Sequence, residues 1–141
     1  YVNGGAAALV DGAMGGESYV RPEWIGFNGD DLAGVIDLGV VRRLRHVGFN
    51  AANEPRSWIV LPRGATFEFS TDGANYARPV TIAGAESRTA GSGAHYFGTA
   101  IPGGGVEARY IRFRIRNGVL PDWHIGKGNP AWMFVDEIMA Y

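Results

Sequence analysis

The sequence has 141 residues, of which 46% are hydrophobic and 19% are charged, and its formal net charge is −1. These values are typical of one globular domain that buries about two-thirds of the surface of its unfolded chain, and they exclude a disordered chain. A net charge this close to zero gives no general field to attract nucleic acid or an anionic membrane. Because Cys is absent, a disulfide scaffold, a Cys-ligated zinc and a Cys nucleophile are also excluded.

The ends of the chain and its hydropathy bear on its context. No apolar run approaches the ~18 residues that a membrane span needs. The sequence begins at Tyr1, with neither Met nor a signal peptide, so we interpret it as a piece of a longer protein. We expect residues 1–141 to form a single domain of that protein.

The predicted elements are short strands separated by turns. Residues 1–31 are rich in Gly and polar residues and predict loops around an anchoring Trp24. Strands are predicted at 35–39, 44–49 (with a bulge between Leu44 and Val47), 58–61, 66–70, 76–82, 109–116 and 132–140. The remaining segments, chiefly 50–57, 83–105 and 117–131, are predicted loops. Since no segment has a sustained helical period, the pattern favours an antiparallel sandwich or barrel.

The clearest strand, 109–116, alternates strictly between apolar residues and arginines. Its apolar residues are Ile111, Phe113 and Ile115, and its arginines are Arg112, Arg114 and Arg116. Three arginines on one face of a strand are compatible with binding of phosphate or sulfated glycans. We favour instead a solvated sheet face, on which they pair with Glu on a neighbouring strand.

The closing strand carries two adjacent carboxylates, Asp136 and Glu137, among apolar residues. A charge is costly to bury unless it is paired or coordinated. Neighbours along a strand point to opposite faces, so this pair is not expected to flank one glycosidic bond. The sequence also lacks the motifs of serine hydrolases, phosphate-binding loops and zinc proteases. We therefore expect no catalysis in this domain, and assign any catalysis to another part of the parent protein.

Six short stretches occur in an order that resembles one known family. They are Ala8-Leu-Val-Asp-Gly12, Trp24, Val35-Ile-Asp-Leu-Gly39, Ser70-Thr-Asp-Gly73, Ala108-Arg-Tyr-Ile-Arg112 and Phe134-Val-Asp-Glu-Ile138. Together they resemble the coagulation factor 5/8 type C (discoidin) family, which implies an all-β, jelly-roll β-sandwich of about eight antiparallel strands. The form Pro-x-Trp-His-x-Gly-x-Gly at 121–128 is most similar to family-32 carbohydrate-binding modules appended to bacterial glycoside hydrolases, notably β-hexosaminidases (chitobiases).

The resemblance implies a structural Ca²⁺ between the first Asp-Gly loop and the closing strand. Its implied ligands are the side chains of Asp11 and Glu137 and the backbone carbonyls of Ala8, Ala13, Gly16 and Asp136. Such a mixture of carboxylates and carbonyls suits Ca²⁺, which takes about 6–8 oxygen ligands. The sequence departs from the family at Gly15-Gly16-Glu17, where a Ser or Thr ligand is common. The alternative is that Asp11 caps its own turn and Glu137 is a surface carboxylate.

The resemblance also implies that a glycan is held by loops at one end of the sandwich, here 26–31, 50–57 and 117–130. The candidate sugar-binding residues on them are Asn28, Asp30, Asn53, Arg56, Trp123 and His124, with Asp122 and Lys127 nearby. Arg56 is the best single candidate, because the family often presents an Arg from this loop. Trp24, Trp58 and Trp132 are predicted to lie in the core. Trp123 is either a sugar contact or a pin that plugs the end of the sandwich.

The function that follows is a non-catalytic carbohydrate-binding module, monomeric in itself, on a secreted, periplasmic or cell-surface bacterial protein. Its partners would be a galactose- or N-acetylhexosamine-containing glycan and the catalytic domain of the same polypeptide, without nucleic acid or membrane insertion. One alternative is a structural accessory domain that packs on the catalytic domain and binds no sugar. Another is adhesion to protein or phospholipid through apolar spikes, for which loops 26–31 and 50–57 are too polar.

Overall fold

A computed structural model describes Val10 and residues 24–141 of the chain, and the predicted ligands Ala8, Asp11, Ala13 and Gly16 lie outside these residues. The strands are β1 (Ile25–Asn28), β2 (Leu32–Leu44), β3 (His46–Asn53), β4 (Gly64–Ser70), β5 (Ala77–Ala83), β6 (Gly93–Ala100), β7 (Val106–Arg116) and β8 (Trp132–Ala140). A single turn of 3-10 helix, Pro55–Ser57, follows β3. Within the part of the chain that is described, no helix has the length and apolar character needed to cross a membrane.

The strands form two four-stranded antiparallel sheets. Sheet A has the order β1-β8-β3-β6, and sheet B has the order β2-β7-β4-β5. Every connection between consecutive strands crosses from one sheet to the other, except the β4–β5 hairpin. This is the strand order of a jelly roll, a fold in which two sheets pack face to face around one core. The predicted fold class is confirmed.

The core lies between the sheets and follows from the alternation of the strands. In β7, Ile111 and Ile115 are fully buried and Phe113 is 6% exposed, whereas Arg112 and Arg114 face solvent. A second cluster lies on the outer face of sheet A, where Trp24, Ala52, Ile59 and Phe134 pack together with Trp132 against them. The prediction that Trp24 belongs to the core is confirmed, and Trp132 is half-buried.

The bulge predicted between Leu44 and Val47 is instead a corner between the two sheets. Leu44 ends β2 in sheet B, and β3 of sheet A begins at His46. Both Leu44 and Val47 lie in the core, because the chain crosses from one sheet to the other at Arg45. An odd spacing of inward-facing residues thus arises from a change of sheet.

Two other strand predictions are wrong. Residues 83–105, predicted as loop, contain β6, in which only Phe97 is buried and small residues hide the alternation. Residues 58–61, predicted as a strand, form only isolated bridges through Ile59, which pairs with Glu54 and with Trp132. Trp58 precedes that bridge as the residue that ends the 3-10 turn.

Candidate functional site

The strand directions bring four connections to the same end of the sandwich. β1, β3, β5 and β7 end there, and the strands that follow each of them begin there, so segments 29–31, 54–63, 84–92 and 117–131 are neighbours. We call this the loop end. It includes the three loops that the sequence suggested for ligand binding, and adds the connection 84–92, which the sequence did not single out.

Three of the candidate polar residues are exposed at the loop end. Arg56 lies in the 3-10 turn after β3, whereas Asn28 and Asp30 lie at and after the end of β1. β8 separates β1 from β3 in sheet A. Two inter-strand spacings amount to about 10 Å, so Arg56 and the pair Asn28 and Asp30 are on opposite sides of β8.

Asn53 is not positioned to contact a ligand, in contrast to its prediction. Its side chain is 1% exposed, and its Nδ2 lies 3.1 Å from the carbonyl oxygen of Ser87, 3.2 Å from that of Ala90 and 3.2 Å from that of Gly91. These contacts tie the end of β3 to the connection 84–92. The side chain is therefore a structural clamp within the loop end.

His124 is also buried, with 8% exposure, and both of its ring nitrogens are engaged. Nδ1 accepts a hydrogen bond from the backbone N–H of Gly126 at 2.9 Å, so Nε2 carries the proton and donates to the carbonyl of Pro55 at 2.6 Å. The imidazole thereby links the 117–131 connection to the 3-10 turn that carries Arg56. His124 therefore positions the 3-10 turn and does not itself face a ligand.

Trp123 and Trp58 flank His124, and each makes an edge-on contact with the imidazole. The ring centroids are 5.8 Å apart for Trp123 and 5.9 Å apart for Trp58. Trp123 is half-buried, and its Nε1 donates a hydrogen bond to Oε1 of Glu86 at 3.2 Å. The two tryptophans and the histidine form one group, which we call the aromatic cluster.

Trp58 is exposed, so its prediction as a core residue is wrong. It has 39% exposure and a positive φ of 64°, a strained backbone conformation for a bulky residue. Its backbone N–H donates to the carbonyl of Pro55 at 3.0 Å, and its own carbonyl accepts from Trp132 at 2.9 Å. A Cβ on Gly126 would come within 3.0 Å of the indole, so the ring rests directly on this glycine.

A cleft of about 390 Å³ opens beside the aromatic cluster, between segments 60–63, 84–87 and 117–121. Its polar lining includes Arg63, Glu86, Ser87 and Asn117. Glu86 joins the cleft to the cluster, because it both lines the cleft and accepts the hydrogen bond from Trp123. The cleft thus combines charged and amide groups with a neighbouring aromatic surface.

Trp58, Arg63 and Glu86 are among the residues of this end that the sequence did not suggest. The sequence around Arg63 and Glu86 does not indicate a binding site, because the two residues lie on connections that are distant in sequence and come together only in the fold. Trp58 had a local indication: it directly follows the turn-forming residues 50–57, which is compatible with a place on the turn itself.

The two carboxylates of β8 lie at a β-bulge. Phe49 pairs with Ile138 and Ala51 pairs with Val135, so the single residue Asn50 opposes both Asp136 and Glu137. Strict alternation fails here, and the expectation that neighbouring side chains point to opposite faces does not apply to this pair. Asp136 is 0% exposed and Glu137 is 6% exposed, so the alternative of a surface Glu137 is wrong.

Two buried carboxylates at one bulge fit the chemistry of a hard cation, since oxygen ligands suit Ca²⁺. Among the residues that the structure describes, no group of three or more His, Asp and Glu side chains forms a metal cluster. The other four predicted ligands fall outside those residues. The calcium ion therefore stays a prediction.

The arginine stripe of β7 is a paired, solvated sheet face, as favoured from the sequence. Arg112 forms two hydrogen bonds with Glu68 on β4, at 3.2 and 3.3 Å, and Arg114 donates to Asp31 at 3.0 Å. On the same strand, Arg109 holds Asp37 through two bonds of 2.8 and 3.0 Å. The carboxylate of Asp37 also accepts a hydrogen bond from the N–H of Gly39. The bonds from Arg109 and Gly39 together lower the pKa of Asp37 from its usual 3.8.

Comparison of the sequence with known families and proteins found no relative. No family model matches the chain, and no curated protein sequence matches it. The comparison of structures, in contrast, found solved structures that have the same fold.

Three of these structures are carbohydrate-binding modules or a chitobiase fragment. CBM32-1 from a family 31 glycoside hydrolase of Clostridium perfringens has a TM-score of 0.63 and 14% identity, covering 100% of this chain and 87% of that one. A fragment of a putative chitobiase from Bacteroides thetaiotaomicron has a TM-score of 0.57 and 19% identity, covering 99% and 75%. Chitosan-binding module 1 of a chitosanase/glucanase from Paenibacillus sp. IK-5 has a TM-score of 0.53 and 16% identity, covering 100% and 87%. At these identities the likeness shows the fold, and the predicted resemblance to family-32 modules is confirmed at that level.

Proposed function

We propose that this chain is a non-catalytic carbohydrate-binding module, and that a galactose- or N-acetylhexosamine-containing glycan binds at its loop end. The observation that carries the proposal is the exposed indole of Trp58 in the aromatic cluster, beside Arg56 and the polar cleft. A pyranose needs a flat apolar surface for its C–H face and directed polar groups for its hydroxyls. The names of the structural neighbours as sugar-binding modules support the same function.

In this proposal the residues of the loop end have different roles. Trp58 and Trp123 offer ring faces, and Arg56 donates hydrogen bonds to hydroxyls. Asn28 and Asp30, about 10 Å away across β8, reach only a ligand longer than one sugar ring. His124 holds the turn that presents Arg56 and Trp58.

The proposal includes the context of the module. Its parent is a secreted, periplasmic or cell-surface bacterial glycoside hydrolase of the β-hexosaminidase or chitobiase type. A module that binds weakly raises the local concentration of substrate for a catalytic domain on the same polypeptide. The structural neighbour from a chitobiase supports this context.

Isothermal titration calorimetry on the chain with galactose and with oligomers of N-acetylglucosamine tests the proposal. We expect binding to at least one of them, and a loss of about tenfold in affinity for Trp58→Ala and for Arg56→Ala. Arg42→Ala is the matched control, because Arg42 is an exposed arginine of β2 near the opposite end of the sandwich. A broad glycan array on which the chain binds nothing would contradict the proposal.

A structural accessory domain is the second candidate function. The observation that favours it is a group of half-exposed valines on β2, Val35 at 54%, Val40 at 55% and Val41 at 50%. Apolar surface of this kind suits packing against a neighbouring domain. This candidate would be supported if the chain bound no glycan on the array and melted at a higher temperature inside its full-length parent than in isolation.

We also propose that a structural Ca²⁺ binds to the side chains of Asp11 and Glu137 and to the backbone carbonyls of Ala8, Ala13, Gly16 and Asp136. Bound there, the ion would tie the closing strand to the first Asp-Gly loop through oxygen ligands of the kind that Ca²⁺ takes. Added calcium should raise the melting temperature relative to chelator, and Glu137→Gln should remove the difference. Glu107→Gln, at an exposed position of β7, is the control. Coincident melts of the unmodified chain in calcium and in chelator would refute the ion.

A further inference from the structure

Sheet A carries an exposed group of rings on its outer face, toward the end opposite the loops. The group consists of Tyr96 on β6, Tyr141 after β8 and His46 at the start of β3, above the glycine pair Gly48 and Gly98. We call it the tyrosine patch. It shares no residue with the aromatic cluster or the cleft at the loop end.

The ring of Tyr96 lies flat on the sheet because two glycines face it. Gly48 and Gly98 pair directly across β3 and β6. A Cβ at Gly48 would lie 2.6 Å from the hydroxyl oxygen of Tyr96, and a Cβ at Gly98 would overlap the hydroxyl end of the same ring. Any other residue pair would lift the ring from the strands.

Two of the three rings are stacked on each other, and the third is held against the glycine pair. His46 and Tyr141 are stacked, with centroids 5.1 Å apart and an interplanar angle of 17°. Burial of its hydroxyl end and a hydrogen bond with Tyr141 raise the pKa of Tyr96. The rings nevertheless keep large free surfaces, because Tyr96 is 54% exposed and Tyr141 is 63% exposed.

We propose that the tyrosine patch is a second carbohydrate-binding site, which takes the apolar face of a pyranose ring in a polysaccharide chain. A tyrosine that covers glycines stabilises a sheet, and that accounts for where the ring lies. It does not account for a half-exposed ring on the same face as a second exposed tyrosine, Tyr141, which is stacked on His46. A fixed planar ring edged by phenol and imidazole groups offers stacking and hydroxyl contacts with little loss of side-chain freedom on binding.

The patch would bind weakly alone and act through avidity. One aromatic platform contributes about 0.5–1.5 kcal/mol, which is not enough for stable capture of a single sugar. Two sites on one module that engage the same insoluble polymer make the second contact intramolecular. The proposal rests on the function proposed above, since it presumes a glycan-binding module, but it involves different residues.

Backbone NMR of the chain, titrated with the hexamer of N-acetylglucosamine and with a galactose oligomer, separates the two sites. We expect shifts of amides near Arg56, Trp58 and Trp123 for the loop end, and of amides at 46–48 and 96–98 for the patch. Tyr96→Ala should remove only the second set and weaken retention on insoluble chitin or galactan by about fivefold. Gly98→Ala, whose Cβ would meet the ring of Tyr96 first, should have the same effect by lifting the ring.

Two further variants keep the outcome clear. Tyr96→Phe retains the ring and should retain most of the binding. Tyr76→Ala is a matched control, because it removes a half-buried tyrosine that lies before β5 and packs on Arg112 of the opposite sheet. Shifts confined to the loop end, or unchanged polymer retention in folded Tyr96→Ala and Gly98→Ala, would overturn the second site and leave the first intact. Shifts confined to the patch would support the second site and refute the loop-end site. No shifts at either place would refute both.

Discussion

Replacement of Asn53 by Ala is expected to destabilise the fold by about 3–5 kcal/mol. The amide nitrogen lies 3.1–3.2 Å from three carbonyl oxygens, of Ser87, Ala90 and Gly91, and the side chain is 1% exposed. An NH₂ group has two hydrogens, so two net hydrogen bonds of about 1 kcal/mol each are lost, and carbonyls left without a partner cost about 1–3 kcal/mol more. Urea denaturation, followed by tryptophan fluorescence, measures the change in the free energy of unfolding.

The matched control for this experiment is Asn129→Ala. Asn129 is an exposed residue of the same end, with one side-chain hydrogen bond to the carbonyl of Gly126 at 2.9 Å, so its loss should cost less than about 1 kcal/mol. Asn53→Asp should cost more than Asn53→Ala, because it directs an oxygen at the three carbonyls. If Asn53→Ala keeps the stability of the unmodified chain but loses glycan binding, Asn53 is a sugar contact and the structural clamp is refuted.

Three further predictions follow from other parts of the chain. The pKa of Asp72 is lowered below its usual 3.8, mainly because its carboxylate accepts hydrogen bonds from the N–H groups of Asn75 and Ala74. The stability that the ionised carboxylate contributes is therefore present above pH 3.8 and declines as the pH falls below that value. Thermal melts should accordingly show that Asp72→Ala is less stable than the unmodified chain at neutral pH, with a gap that narrows in acid; a gap independent of pH would contradict this. Arg112 bonds to Glu68 and lies 4.2 Å from the ring centroid of Tyr76. Because the Arg112–Glu68 pair is solvated, Arg112→Ala should nevertheless change the free energy of unfolding in urea by about 1 kcal/mol or less. A loss several times larger would show that this face is buried in an assembly. Gly126→Ala places a Cβ 2.8 Å from Leu120 and 3.0 Å from Trp58, so calorimetry should find glycan binding weakened through the displaced indole, and unchanged affinity would argue against Trp58 as the platform.

Regular strands were predicted well where alternation is local and complete. Strand β8 has the predicted bounds 132–140, and the inward and outward residues of β7 are those expected. β6 could not be predicted, because Phe97 is its only buried residue and its neighbours are Gly, Ala and polar. The sheet change at Arg45 was read as a bulge, since both produce the same spacing of apolar residues.

The site was predicted at the level of loops more than of residues. Whether a polar residue faces solvent depends on partners distant in sequence: Asn53 is buried by carbonyls of 87–91, and His124 by the carbonyl of Pro55. Trp58 was placed in the core because an apolar run predicted a strand, whereas the 3-10 turn before it directs its ring outward. The long-range contacts of Asn53 and His124 leave no local pattern in the sequence, whereas the turn-forming residues before Trp58 were a local indication of its position.

The bulge at Asp136 and Glu137 connects the proposals to one another. Val135 and Ile138 both lie in the core, so the extra residue of the bulge is what allows two carboxylates to fit between two inward-facing side chains. The same strand begins at Trp132, whose backbone bonds to Trp58 at the loop end, and leads into Tyr141 of the tyrosine patch. A cation that fixes the bulge would therefore fix the frame of both proposed sugar sites. Chelation should then weaken binding at both, whereas variants of Trp58 or Tyr96 should each affect one.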